Sequence, residues 1–173
     1  MKTTSALAYV GHNANGDRHK NDFYATPSLA TQELLKKECF SGTLWECACG
    51  DGAISKVLIN NGYDVYSSDL INRGYGEQLD FLQSDKKVDN IITNPPFNLS
   101  TEFTLHALKL ARKKIIMLNK LSFLEGIKRN KEIFSKNKLK NIYVFSKRLN
   151  FLKQNGKSNG LMAFAWFVFD NNY

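Results

Sequence analysis

Asn94-Pro95-Pro96-Phe97 places a carboxamide, two rigid residues and a flat ring in four consecutive positions. Proline fixes φ and removes N–H donors, so the carbonyls of Asn94 and Pro95 are expected to face outward as acceptors on a stiff backbone. Such acceptors suit a particular problem. An amino group on a heteroaromatic ring, like an amide nitrogen, is a poor nucleophile because its lone pair is delocalised. If the Asn94 side-chain oxygen and the Pro95 carbonyl each take one N–H, the nitrogen is drawn toward a tetrahedral shape and its lone pair is freed. Phe97 then offers a face for a planar substrate, worth roughly 1–3 kcal/mol for a base on an aromatic ring. The competing interpretation is a rigid turn with a packed ring.

A second constellation, Glu46-Cys47-Ala48-Cys49-Gly50-Asp51-Gly52, falls between an expected strand and an expected helix. Glycines let backbone approach a ligand, and the helix start behind them offers unpaired N–H groups. The next strand ends in Asp69, 23 residues beyond Glu46, close to the spacing at which an acid takes ribose hydroxyls. Neither a full G-x-G-x-x-G nor a Gly-Lys-Ser/Thr is present, which argues against dinucleotide and triphosphate sites. The three cysteines provide neither a disulfide framework nor a four-ligand zinc site and read as small buried residues. His12, His19 and His106 have no triad-like company, and His106 reads as structural.

Charge is unevenly distributed. Residues 1–100 carry nine Lys/Arg and twelve Asp/Glu, whereas residues 101–173 carry fifteen and four, so the second part holds a net +11. A basic surface of this kind is the footprint of a polyanion, set against the alternative of a solvated, solubilising face. The candidate contacts are Lys120, then Lys128 and Arg129 in segment 121–130, and Lys147, Arg148, Lys153 and Lys157 in segment 146–160. No apolar run approaches the roughly 20 residues of a membrane span, so a cytoplasmic location is expected, the host cytoplasm if the chain is phage-encoded.

The elements that must position these residues follow from periodicity. Residues 1–22 read as a flexible arm, and 23–173 as a single domain. Helices are expected over 28–38, opened by Thr26 or Ser28 with Leu29, Leu34 and Leu35 on the apolar face, and over 53–61, 101–113 and most of 121–136. Strands are expected over 43–47, 63–68, 88–93, 114–119, 142–145 and 161–169, with a short one near 75–82. This alternation predicts an α/β fold with a doubly wound sheet, mostly parallel, ending in an antiparallel C-terminal hairpin at its edge.

From Phe23 onward the chain resembles the amino-methyltransferases, in particular the DNA adenine-N6 methyltransferases, in a compact phage-like form without a separate target-recognition domain. The resemblance implies a Rossmann-like methyltransferase sheet and S-adenosyl-L-methionine as cofactor, with no metal. It implies that Tyr24, Thr26 and Pro27 contact the methionine part of that cofactor. Glu46, Cys47, Gly50, Asp51 and Gly52 would form its glycine loop, Asp69 and Leu70 its ribose site, and Asp80 and Phe81 its adenine site. Asn94, Pro95, Pro96 and Phe97 match the catalytic motif, with Asn94 also bordering the cofactor. Arg148 to Phe151 is similar to the late motif whose aromatic packs against a flipped base; Phe151 as plain core is the alternative. The implied partner is nucleic acid, DNA favoured over RNA and no membrane, with recognition supplied by small elements, a homodimer or a specificity-giving partner. RNA adenine or protein glutamine methylation stays open, as does a catalytically silent binding subunit of the same fold.

Overall fold

The computed structural model describes residues 23–137, 139–151 and 162–173. The expected arm 1–22 and most of the 146–160 segment, with Lys153 and Lys157, lie outside the described residues. In chain order the elements are α1 (Ser28–Leu35), β1 (Leu44–Glu46), α2 (Ala53–Asn60), β2 (Val65–Asp69), β3 (Glu77–Gln78), β4 (Val88–Thr93), α3 (Ser100–Leu110), β5 (Ala111–Lys120), α4 (Ile127–Arg129), β6 (Leu139–Val144) and β7 (Phe164–Asp170).

The strands form one sheet in the order β3-β2-β1-β4-β5-β7-β6. β1 to β5 run parallel, and β7 is antiparallel to both neighbours. A parallel sheet covered on both faces reads as continuous apolar runs. The parallel strand β4 obeys this, with five of its six residues buried, and antiparallel β7 is covered in the same way, with all seven of its residues buried. Two apolar clusters flank the sheet, one around Trp45, Phe81, Phe103 and Phe167, the other around Leu34, Leu58, Ile92 and Trp166. Their polar tips are satisfied, since Trp45 Nε1 donates to Ser68 Oγ at 2.8 Å and Trp166 Nε1 to the Ala30 carbonyl at 2.9 Å. Among the described residues no helix is long and apolar enough to cross a membrane.

The mostly parallel α/β sheet with antiparallel C-terminal strands is as expected, but several boundaries differ for physical reasons. β7 inserts between β5 and β6, so β6 alone forms that edge of the sheet. The third helix stops at Leu110, because Ala111 pairs with Val88 and begins a ten-residue strand that β7 zips from Lys114 to Lys120. The expected helix over 121–136 is broken at Gly126, whose φ of +106° lies outside helical space, leaving one helical turn and a π turn at Asn130–Phe134. On α1 it is Ala30, Thr31 and Leu34 that are buried, while Leu29 is 58% exposed. Neither Thr26 nor Ser28 caps that helix; Pro27 occupies the cap position without a side-chain bond. Of the cysteines, Cys47 and Cys49 are buried and Cys39 is exposed.

Candidate active site

Strands β1, β2 and β4 end on one edge of the sheet, where open α/β sheets bind ligands. A cavity of about 570 Å³ opens there, within the roughly 300–1,000 Å³ of small-molecule sites. It is lined by Tyr24, Thr26, Glu46, Cys47, Asp51, Asp69, Leu70, Asp80, Phe81 and Asn94 to Phe97, residues from five separate stretches of chain.

The glycine loop shapes one wall. Gly50 has φ +57°, and a Cβ there would stand 2.1 Å from the Phe23 ring, so only glycine lets that ring close over the loop. The Gly50 N–H donates to Asp69 Oδ2 at 2.8 Å, and Ile71 N–H donates to Asp69 Oδ1 at 2.9 Å. Each carboxylate oxygen keeps a lone pair for a ligand hydroxyl, but the anion first joins the loops after β1 and β2. Asp80 is similarly placed, its Oδ1 accepting the Leu82 N–H at 3.0 Å. Phe81 is 2% exposed and packs edge-on against Trp45 and His106, making it the back wall of the cavity. His106 is structural as expected, with Nε2 2.9 Å from the Ser84 carbonyl oxygen.

Glu46 ends β1 almost fully buried, accepting from the Ser55 N–H at 2.8 Å and from the Ser55 hydroxyl, which also meets Ser67 Oγ at 2.7 Å. Burial pushes its carboxyl from the usual 4.5 up to about 8; the Ser55 bonds oppose this, and the nearby Asp51 and Asp69 charges add to it. Below pH 4.5 the folded and unfolded chains both hold the proton. Between 4.5 and about 8 only the folded chain does, so folding stability drains as pH rises through that window. Glu46→Gln is expected to remove this loss: melting curves from pH 5 to 8 should show the parent chain falling relative to the variant. Parallel curves would show that Glu46 stays ionised.

The fourth strand delivers Asn94. Its Nδ2 donates to the Tyr24 carbonyl at 3.3 Å and to Thr26 Oγ1 at 3.1 Å. Because a backbone carbonyl only accepts, these bonds fix which end of the carboxamide is nitrogen. Asn94 Oδ1 is left buried without a partner among the described residues. The Pro96 carbonyl accepts from Leu99 N–H at 2.9 Å, which starts the turn into α3. Of the two roles expected for Thr26, the helix cap is not formed, and its side chain lines the candidate site.

Aromatic rings gather beside this carboxamide. Tyr24 and Phe97 stack with centroids 5.8 Å apart and planes 21° apart, and Phe151 meets both edge-on at 6.4 Å. Phe164 lies 4.7 Å from Phe151, and Lys120 Nζ sits 4.9 Å from the Phe97 ring. Lys128, Lys147 and Arg148 are exposed. Arg129 departs from its expected role as a polyanion contact: Nε donates to the Phe123 carbonyl at 2.8 Å and Nη2 to that of Ser122 at 3.4 Å, bracing its own loop. Pro27, Gly50 and Gly52, expected as cofactor contacts, lie outside the cavity lining; the Phe23 and Tyr75 rings cover the two glycines.

Sequence reasoning missed Ile71, Arg73, Asn98, Leu99 and Phe103 among the lining residues. Arg73, whose guanidinium carbon is 4.4 Å from the Phe23 ring centroid, lies in a turn beyond Asp69 that no motif marks. It is the one Lys or Arg against four carboxyl side chains in the described lining: Glu46, Asp51, Asp69 and Asp80.

No protein-family model matches the sequence, and no curated protein does. Solved structures do match. A protein from Pyrococcus horikoshii described as an RNA methyltransferase superposes with a TM-score of 0.68 at 18% identity, covering 85% of each chain. The magnesium protoporphyrin IX methyltransferase of Synechocystis PCC 6803, with bound SAM, gives 0.57 at 14% identity over 82% of this chain and 76% of that one. A type I restriction enzyme modification subunit from Vibrio vulnificus YJ016 gives 0.60 at 14% identity over 95% of this chain. The chain spans about half of that subunit's length, 47%. The fold is the Rossmann-like methyltransferase fold. At these identities the likeness concerns architecture, and the chemistry must be argued from the cavity.

Proposed function

We propose that the protein is an S-adenosylmethionine-dependent methyltransferase acting on an exocyclic amino nitrogen, the N6 of adenine in DNA. The observation that carries this is the Asn94 carboxamide: oriented through Nδ2, with a buried, unpartnered Oδ1 at the cavity. A buried acceptor without a donor costs roughly 1–3 kcal/mol, and a substrate N–H removes that deficit.

The cavity's residues fit the cofactor. Its volume and its excess of carboxyl groups over cations suit a ligand with an ammonium and a sulfonium. Asp69 and Asp80 would hold ribose and adenine. S-adenosylmethionine held there supplies a methyl group already bonded to an excellent leaving group, so the protein need only position and polarise. Asn94 Oδ1 takes one hydrogen of the amino group and the Pro95 carbonyl the other, turning the nitrogen lone pair toward the cofactor site. Phe97, backed by Tyr24 and Phe151, holds the plane of the base. A base in duplex must leave the stack to reach this depth. Nucleic acid is favoured over protein by the net +11 of residues 101–173.

The test is to incubate the protein and radiolabelled S-adenosylmethionine with DNA, RNA and protein separately. Label in DNA alone is expected. Label confined to RNA or protein would keep the chemistry and change the substrate, and cofactor binding without label in any of them would sink the enzymatic reading.

A further inference from the structure

We propose that the loop following β5 is an apolar wedge for duplex DNA, with Leu124 and Ile127 entering the base stack where the target adenine leaves it. This rests on the reading above. Ile127 is 90% exposed and Leu124 40%. Single exposed apolar residues are ordinary on soluble proteins, so exposure alone says little. The setting of this pair is what distinguishes it.

First, the loop is braced. Phe123 is buried between Phe134, at 5.8 Å, and Phe167, at 5.4 Å, which anchors the loop in the core. The Arg129 guanidinium grips the carbonyls of Ser122 and Phe123 from the other side. Glu125 N–H bonds to Ser122 and Asn130 N–H to Gly126, closing two turns around the tip. The chain thus holds two apolar side chains out in water on a fixed support.

Second, the loop leaves the sheet beside the candidate active site. β5 pairs with β4 up to Met117 and Thr93, so both strands end on the same edge, and Lys120, the last residue of β5, contacts the Phe97 ring. The wedge begins at the next residue. Third, cations flank it: Lys120 precedes it and exposed Lys128 follows Ile127 directly, two against the one exposed acid at the tip, Glu125. Cations on the phosphates with branched apolar side chains between base steps is how proteins unstack duplex DNA. An extruded base leaves a gap of just this apolar character.

The test compares methyl transfer to a duplex and to the single strand of the same sequence. In Leu124→Ala/Ile127→Ala the duplex rate is expected to fall about tenfold or more and the single-strand rate to stay within about twofold, because only the duplex requires extrusion. A mismatch at the target adenine should restore much of the duplex rate. Ile127→Phe, which keeps an apolar tip, is expected to retain duplex activity within about threefold. Equal loss on both substrates, or no loss on either, would overturn the wedge while leaving the methyltransferase reading intact. Failure of the parent chain to label either form of DNA would instead overturn the DNA reading, and the wedge with it.

Discussion

Asn94→Ala is expected to lower methyl transfer by roughly 10²–10³-fold, equivalent to about 2.7–4 kcal/mol, the usual effect of removing one preorganised polar group from a reacting centre. S-adenosylmethionine affinity should change far less, since the carboxamide oxygen faces the substrate nitrogen in the proposed geometry. The side chain is held by Tyr24 and Thr26 before any ligand arrives, so no reorganisation is needed when the amino group docks. Asn94→Asp sharpens the point. A carboxylate keeps an acceptor but loses the Nδ2 donor, and its second oxygen is set against the Tyr24 carbonyl, so the group should turn away and activity should stay low. Single-turnover rates with calorimetric affinities separate the possibilities. A parallel collapse of cofactor binding would make Asn94 a structural tie between β4 and the 23–27 segment.

Asp69→Ala is expected to weaken cofactor affinity by about 10–100-fold, since hydrogen bonds to a charged group contribute about 1.5–3 kcal/mol. The carboxylate takes the Gly50 and Ile71 N–H groups. Removing it would free the glycine loop and the 70–76 turn together as well as deleting the ribose acceptor. Asp69→Asn should recover little, because both oxygens receive N–H donors and an amide nitrogen would confront one of them. Calorimetry with S-adenosylhomocysteine reads this directly. Unchanged affinity with a reduced rate would contradict the assignment.

Much of this cavity was legible from local strings. Glu46 to Gly52, Asp69 and Asn94 to Phe97 each sit at a strand end, and a parallel α/β sheet brings such ends to one edge whatever the rest of the chain does. What was not legible depends on distant pairing. Ala111 to Lys113 are acceptable in a helix, and the pairing of Ala111 with Val88 of β4 makes that region strand. Thr26 has the chemistry of a helix cap, yet Asn94, 68 positions later, claims its hydroxyl. Arg129 looks like a phosphate contact from charge alone, but its donors point back to its own loop. Arg73 carries no motif, and its place in the lining comes from Phe23, which folds across Gly50 from the far side of the sequence.

The most direct measurement is to incubate the protein with duplex DNA and S-adenosylmethionine, digest the DNA to nucleosides, and identify the modified one by mass spectrometry, with Asn94→Ala in parallel. N6-methyladenosine, as its deoxynucleoside, is expected with the parent chain and at most a trace with the variant. Methylation at a ring carbon, or equal product from the Asn94 variant, would contradict that expectation.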